Sequence, residues 1–354
     1  MEAFTQLIER LIAVVMSFFA MFFGTTTPAG YSPLDSANIK LNAAVISDTH
    51  IDGSVYDRTS LLRKGLRDID ASTVPVDVLA IVGDCTEGGK ADQFRVLFNQ
   101  LSACDRLKLT LVSLGNHDSW QDITGFQAFF EQYGKFLGKV VTTTYRHETI
   151  NGYHLFTLGT EAKMQDEAYL SQTQLDWFDS ELSGLLGTEK PVFVFLHQPF
   201  NGTNRVNEAW ALGQLGQQSD ALMAITKKYT NQGMLIVFFS GHLHSGLGYS
   251  GVTNDGNLYF VDCPSFGKDP SRGDIIETGT GYVLEAYIGR IVIRARNFVS
   301  GIFYDNYTYT INTNEQNVPE EPTTGEKPTE PSTEPPVVEE TTTVPMTTLP
   351  AEIG

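Results

Sequence analysis

The sequence predicts an α/β domain on three observations. Between Asn38 and Phe298, apolar runs of strand length alternate with stretches of helical period, the pattern of strand–helix units. Five of those runs stop at a carboxylate, an amide or an imidazole, the kind of residue that α/β sheets present at their carboxyl edge. The last two runs, 282–288 and 291–298, flank Gly289-Arg290 and read as an antiparallel hairpin on a two-residue turn.

Taken in order, the strand runs are 41–47, 78–82, 108–114, 154–158, 192–196, 234–240 and 258–261. The third is mostly Leu, Val and Thr and is broken by Gly115. Helices are expected near 59–69, 91–101, 126–137, 171–186 and 220–229. In the 171–186 stretch, Ser171 and Gln174 have capping-box spacing, and Leu175, Phe178, Leu182 and Leu185 recur at helical intervals. No internal repeat is evident.

With 354 residues, 41% of them hydrophobic, the chain can bury one large core, and its length would permit two domains. The formal charge is −18, but the tail from Thr313 holds nine Glu against one Lys, leaving −10 for the rest. That globular part is moderately acidic and has no basic footprint, so long DNA or RNA is not an expected partner. Cys85, Cys104 and Cys263 are far apart and form no Cys-x-x-Cys pair, which gives neither a disulfide framework nor a zinc knuckle. At most one bridge can form, and the compartment is undecided by cysteine.

The two ends are of a different character. Within residues 1–30, the apolar run 11–23 has the length of a signal-peptide core rather than of a span of about 20 residues. Glu2 and Glu9 offset Arg10, and no Ala-x-Ala site follows. The expectation is an export signal or membrane-associating helix, with a buried amphipathic helix as the competing reading. Residues 313–354 are rich in Thr, Pro and Glu and bury too little surface to offset their ordering entropy, so a disordered spacer is expected there. Together the ends suggest a secreted, cell-surface or membrane-associated protein, and otherwise a cytoplasmic one, tied to a membrane or wall through its termini. The oligomeric state is unassigned.

The chemistry gathers at strand ends. Val45-Ile46-Ser47 runs into Asp48-Thr49-His50, Ile81-Val82 into Gly83-Asp84, and Ser113-Leu114 into Gly115-Asn116-His117-Asp118. Phe195-Leu196 runs into His197, and Phe239-Ser240 into Gly241-His242-Leu243-His244. Five of the seven histidines lie in these places. A single His-x-His is usually two ordinary polar residues on one face, but five such ends in one chain mark a cluster. The set holds carboxylates, imidazoles and an amide but no thiolate, which suits divalent Mn, Fe or Zn. It offers too many ligands for one ion and fits two ions about 3.5–4 Å apart, the arrangement that clamps an in-line phosphoryl displacement.

In these residues the chain resembles the calcineurin-like metallophosphoesterases, whose ordered motifs are Asp-x-His, Gly-Asp, Gly-Asn-His-Asp/Glu, a lone His and Gly-His-x-His. All five are present here in that order, across about residues 38–298. The resemblance implies two stacked mixed β-sheets flanked by helices, a four-layer αββα sandwich occupying 38–312. It implies that Asp48, His50, Asp84 and His244 hold one metal while Asp84, Asn116, His197 and His242 hold the second, with Asp84 bridging. A metal-bridging hydroxide would attack the phosphorus of a small phosphate mono- or diester, and His117 would contact the phosphate and protonate the leaving alkoxide.

Such a histidine needs a carboxylate behind it to fix its tautomer. By analogy with phosphoprotein phosphatases, which carry an Asp at that spacing after the bridging residue, Glu87 is expected in that role rather than Asp118. Glu87 also stands where purple acid phosphatases have a metal-binding Tyr, and the Asp-Arg-Gly continuation of protein phosphatases is replaced by Gly88-Gly89-Lys90. Cys85 reads as a residue packed below the site, and Arg205 and Trp210 as candidates for a loop over it. A competing reading is a surface-displayed binding protein on a catalytically degenerate phosphoesterase fold, suggested by the tail. It predicts losses among the ligands, and none is lost.

Overall fold

The structure, a computed structural model, describes residues 30–54, 56–205 and 214–314. The N-terminal apolar run, Trp210 and the tail after 314 lie outside the described residues, and among the described ones no helix is long and apolar enough to cross a membrane.

Twelve strands form two six-stranded sheets. In the first, β1 (Leu41–Ile46), β2 (Val78–Val82) and β3 (Leu109–Ser113) are parallel, linked by α1 (Arg58–Asp70) and α2 (Ala91–Leu101). The sheet continues on the other side of β1 with antiparallel β10 (Thr280–Tyr287), β11 (Arg290–Asn297) and β12 (Ile302–Asn312). The second sheet has the order β4-β5-β6-β7-β9-β8. Its parallel centre is β5 (Tyr153–Thr157), β6 (Val192–Phe195), β7 (Ile236–Ser240) and β9 (Leu258–Asp262). Antiparallel β4 (Arg146–Ile150) and β8 (Val252–Asp255) close its two edges. A 3-10 turn, His117–Ser119, leads into α3 (Ile123–Leu137), and α4 (Gln172–Gly184) and α5 (Ser219–Thr230) complete the set.

Alternation along each strand explains the layers. Ala43 and Val45, Val78 and Ala80, Phe193 and Phe195, and Val237 and Phe239 meet between the sheets. The intervening Ala44, Ile46, Leu79 and Ile81 pack with Leu62, Phe94, Leu97 and Phe129 of α1, α2 and α3. On the far side, Val192, Val194, Ile236 and Phe238 pack with Phe178, Leu182 and Leu222 of α4 and α5. Strands covered on both faces must be apolar throughout, which is why they read as unbroken runs. The result is the expected αββα sandwich.

Two local differences have physical reasons. The hairpin turn is Ile288-Gly289, because Tyr287 pairs with Arg290, one residue earlier than its sequence suggests; Gly289 takes the positive φ of 80° that the turn requires. The Ser171 hydroxyl caps α4 by accepting from the Gln174 amide at 3.2 Å, but the Gln174 side chain does not reach back to it. That side chain instead pairs with both the N–H and the carbonyl of Gly159, while Glu161 accepts from Ser171 N at 2.7 Å. All three cysteines are free.

One buried ion pair ties the helical layer to the sheet. Arg296 of β11 grips Asp68 of α1 with two bonds, Nε to Oδ2 at 2.7 Å and Nη2 to Oδ1 at 2.8 Å, and donates to Gly30 O at 2.9 Å. Removing one partner leaves the other charge buried and uncompensated, so D68A is expected to cost about 3–5 kcal/mol. Urea unfolding measures it, and a loss below about 1 kcal/mol would mean that water replaces the pair without penalty.

Candidate metal centre

The carboxyl ends of β1, β2 and β3 from one sheet and of β6 and β7 from the other open onto the same place. Backbone pairing carries on past the strands: Asp48 N donates to Gly83 O, His50 N to Asp84 O and Gly241 N to His197 O, at 2.9–3.1 Å. These loops also bend sharply. Asp48, His50, Asp84, His242 and His244 have φ of 55°, 45°, 44°, 70° and 45°, half of the ten non-glycine residues with left-handed backbone among those described. Each costs on the order of 1–3 kcal/mol, a concentration of strain typical of a functional site. Two close approaches depend on glycine. A Cβ on Gly115 would stand 2.2 Å from Asp84 Oδ1, and one on Gly241 2.5 Å from Asp48 Oδ2.

Every sequence-predicted ligand type with a charge or a ring arrives at this place. Asp48, His50, Asp84 and His244 form one group of converging ligand atoms, and Asp84, His197 and His242 a second. Asp84 belongs to both. Its Oδ1 accepts from His117 N at 3.0 Å, while Oδ2 lies 3.1 Å from His197 Nε2 and 3.6 Å from His50 Nε2. Asp48 Oδ1 lies 3.4 Å from His244 Nε2, and His50 Nε2 and His244 Nε2 face each other at 3.1 Å. Asn116 is buried, its Nδ2 donating to Gln165 O at 2.9 Å, which orients the amide and leaves Oδ1 as the acceptor.

These residues fit a cation. Asp48 Oδ1, Asp84 Oδ2 and His197 Nε2 are buried acceptor positions without a hydrogen-bond partner. His197 Nδ1 is 2.7 Å from Val82 O, so its proton sits there and the lone pair on Nε2 faces a carboxylate oxygen. A cation between such atoms relieves all three at once. The titration behaviour of the bare site agrees. Burial alone would lower His197, but Asp84 and Asp48 outweigh it and push the imidazole up to about 9. His50 is likewise pushed up to about 9, against burial, by Asp48 and Glu87. Burial opposes ionisation of Asp84, yet the imidazoles around it hold its carboxyl well below the usual range. His242, buried and next to His197, is pulled down to about 3 and offers a neutral ring.

The structure corrects the expectation for Glu87. His117 Nδ1 is 2.9 Å from the backbone carbonyl of Glu87, not from its carboxylate. The carboxylate instead faces His50 Nδ1 at 3.2 Å, is gripped by Arg58 and has Lys268 at 3.7 Å. Arg58 also donates to His50 O at 3.0 Å. The His50 bond, foremost among the causes, pulls Glu87 down to about 2. His117 keeps its tautomer all the same: the carbonyl takes the Nδ1 proton, so Nε2 faces Asp84 Oδ2 at 4.0 Å with 15% of the side chain open to solvent.

Asp118 is a scaffold residue. It is fully buried and accepts from the backbone N–H groups of Cys85, Thr86 and Gly115 and from the Thr86 hydroxyl. Cys85 is buried beneath, its Sγ 3.4 Å from Ser113 O, and burial raises its thiol well above the ordinary value. Arg205 donates to Tyr249 O at 2.8 Å. Two neighbours escaped the sequence reading. Trp120 packs on His117 with ring centroids 3.7 Å and planes 31° apart, and Gln198 Nε2 lies 3.3 Å from Asn116 Oδ1 while bonding Asp166 O at 3.0 Å. Gln198 directly follows a ligand-type residue, a signal that was available; Trp120 carried none.

Comparisons with known proteins cover the part of the chain that carries these residues. A model of the calcineurin-like phosphoesterase family matches residues 41–246. A 3′,5′-cyclic-nucleotide phosphodiesterase of Nostoc sp. is 25% identical over 212 residues, 58% of this chain and 72% of the relative. A protein of Vesicomyosocius okutanii named "probable cyclic nucleotide phosphodiesterase" is 24% identical over 224 residues, 62% of this chain and 84% of the relative. In fold, a dimetal phosphatase from Danio rerio superposes with a TM-score of 0.54 at 14% identity, covering 78% of this chain and 99% of that one. With more than half of its length matched by the family model, the chain belongs to the calcineurin-like phosphoesterases and is a metal-dependent phosphoric ester hydrolase.

Proposed function

We propose that the protein hydrolyses small phosphate esters, phosphodiesters of the cyclic-nucleotide class foremost, at a centre of two divalent metal ions held by Asp48, His50, Asp84, Asn116, His197, His242 and His244. One observation carries the reading: the two groups of ligand atoms share Asp84, whose Oδ2 stands between His50 Nε2 and His197 Nε2. The names of the two curated relatives support the substrate class. The acidic composition and the lack of a basic footprint favour a small substrate over long nucleic acid. The donor set of oxygen and imidazole nitrogen favours Mn, Fe or Zn.

Bound there, such a pair would supply Lewis-acid stabilisation of the phosphoryl oxygens and a water of lowered pKa as nucleophile. The chain's own part is orientation and proton transfer. His117 presents Nε2 to the centre because its Nδ1 proton is held by the Glu87 carbonyl; in the imidazolium form Nε2 carries a second proton, which passes to the leaving oxygen and leaves the neutral Nδ1–H ring. Trp120 packed on the ring prevents the imidazole from swinging away. Glu87 acts on His50, fixing the ring that would ligate the first ion.

Three outcomes test this. Protein supplied with Mn²⁺ is expected to hydrolyse a 3′,5′-cyclic nucleotide and a bis-aryl phosphodiester, and EDTA to abolish turnover; metal-loaded protein inert on these and on an aryl phosphate would overturn the assignment. H117N is expected to keep its metal content while turnover falls by about 10²–10⁴, most for poor leaving groups. Loss of a metal in that variant would make His117 a ligand instead. E87Q is expected to weaken metal binding about 10–100-fold in calorimetry while the leaving-group dependence stays that of the wild type. Unchanged affinity with an altered leaving-group dependence would place Glu87 behind His117 after all.

A further inference from the structure

The two histidines that the centre does not use lie together elsewhere. His147 on β4 and His154 on β5 belong to the antiparallel hairpin at the outer edge of the second sheet. In its register His147 pairs with Phe156 and Thr149 with His154, so the two imidazoles are diagonal neighbours on one face. His154 lies beside Val192, at the start of β6, whereas the metal centre lies beyond the other end of that strand. His147 Nε2 and His154 Nδ1 are 2.9 Å apart.

His147 is built like a ligand. Its Nδ1 is 2.7 Å from Glu181 Oε2 of α4, which places the proton on Nδ1 and the lone pair on Nε2. Its ring lies flat on Phe156, with centroids 4.1 Å apart and planes 14° apart, and Phe156 packs in turn on Phe178. Carboxylate, imidazole and a lone pair in line are the arrangement that prepares a histidine for a metal. Facing that lone pair, His154 Nδ1 has the Thr149 hydroxyl at 3.2 Å as its other neighbour. Burial, and after it His147 and Lys190, lowers the His154 pKa and keeps its ring neutral near pH 7. A surface cleft lined by Tyr145, His147, Trp177 and Glu181 opens beside the pair and admits water as further ligands.

We propose that His147 and His154 form a second, peripheral metal site for a divalent ion of tetragonal preference, Cu²⁺ or Ni²⁺, with Glu181 as the positioning residue of His147. The spacing selects the class. At a metal–nitrogen distance of about 2.0–2.1 Å, two nitrogens 2.9 Å apart subtend about 90° at the ion, the cis angle of a square-planar or tetragonal site. In the metal-free protein a proton on His154 Nδ1 bridges the two nitrogens; on binding, His154 changes to its Nε2–H tautomer, Nδ1 giving a proton to solvent and Nε2 taking one from it, so that both facing nitrogens present lone pairs to the ion. So bound, it pins the β4–β5 hairpin to α4.

Equilibrium dialysis against Cu²⁺, with electron paramagnetic resonance of the bound ion, tests this on the full chain. Wild-type protein is expected to bind one more Cu²⁺ than H154A, the additional ion showing coupling to two nitrogens, while Mn²⁺-dependent hydrolysis is the same in both. E181Q is expected to weaken that ion about 10–100-fold. Ions held by the dinuclear centre, or scattered on the surface, are common to wild type and variant and cancel. Should H154A not fold, H154Q replaces it, with circular dichroism as the check. Equal copper counts in wild type and variant, or an additional ion without nitrogen coupling, would overturn the proposal.

Discussion

Two buried carboxylates, Asp48 and Asp84, surrounded by imidazoles, are the interaction on which the rest of the structure depends. Burial by itself would drive both carboxyls toward their neutral forms; the rings of His50, His197 and His244 hold them ionised instead. Such a cluster cannot assemble from one element, because no single strand or loop brings so many groups to one point. The sandwich does it by aligning the ends of five strands from two sheets. The chain then turns within one or two residues of each strand end, and the left-handed backbone at five ligand-type residues is the local cost. Packing of three hydrophobic layers keeps that strain from relaxing.

What the sequence made legible follows from burial. Strands covered on both faces appeared as apolar runs, and their terminal Asp, Asn and His residues stood out against them. Three of the four edge strands, β4, β8 and β12, went unread because they are partly or wholly exposed, whereas the fourth, β3, is buried along most of its length and reads as an apolar run. Arg146 to Ile150 reads as Arg-His-Glu-Thr-Ile, Val252 to Asp255 as Val-Thr-Asn-Asp, and β12 is half-exposed along its length. Edge strands carry polar side chains to discourage further pairing, so the apolar signal is missing where an edge is well made.

The site was legible as a set of ligand types and only partly as a set of relations. Spacing within a motif fixed which residues stand at a strand end, and those relations held. Contacts between motifs were beyond it: sequence separation does not say whether Glu87 turns its carboxylate toward His117 or toward His50. Neither carboxylate weighed for His117 stands behind it, and Asp118 is in the structure a four-bond tie between two loops. Trp120 was silent because a tryptophan three residues past a histidine has no distinctive pattern until a 3-10 turn places one ring on the other.

The orientation of His117 by a main-chain carbonyl has a consequence for how such a site can vary. A carbonyl is present whatever residue occupies position 87, so the direction of the proton donor is insensitive to substitution there. The side chain is correspondingly free to serve another group, and here it serves His50. In the proposed mechanism, proton delivery and metal affinity would in this way be uncoupled at a single residue. Under the proposed function, a substitution at position 87 would alter the hold on the first ion and leave the direction of the His117 ring as it is.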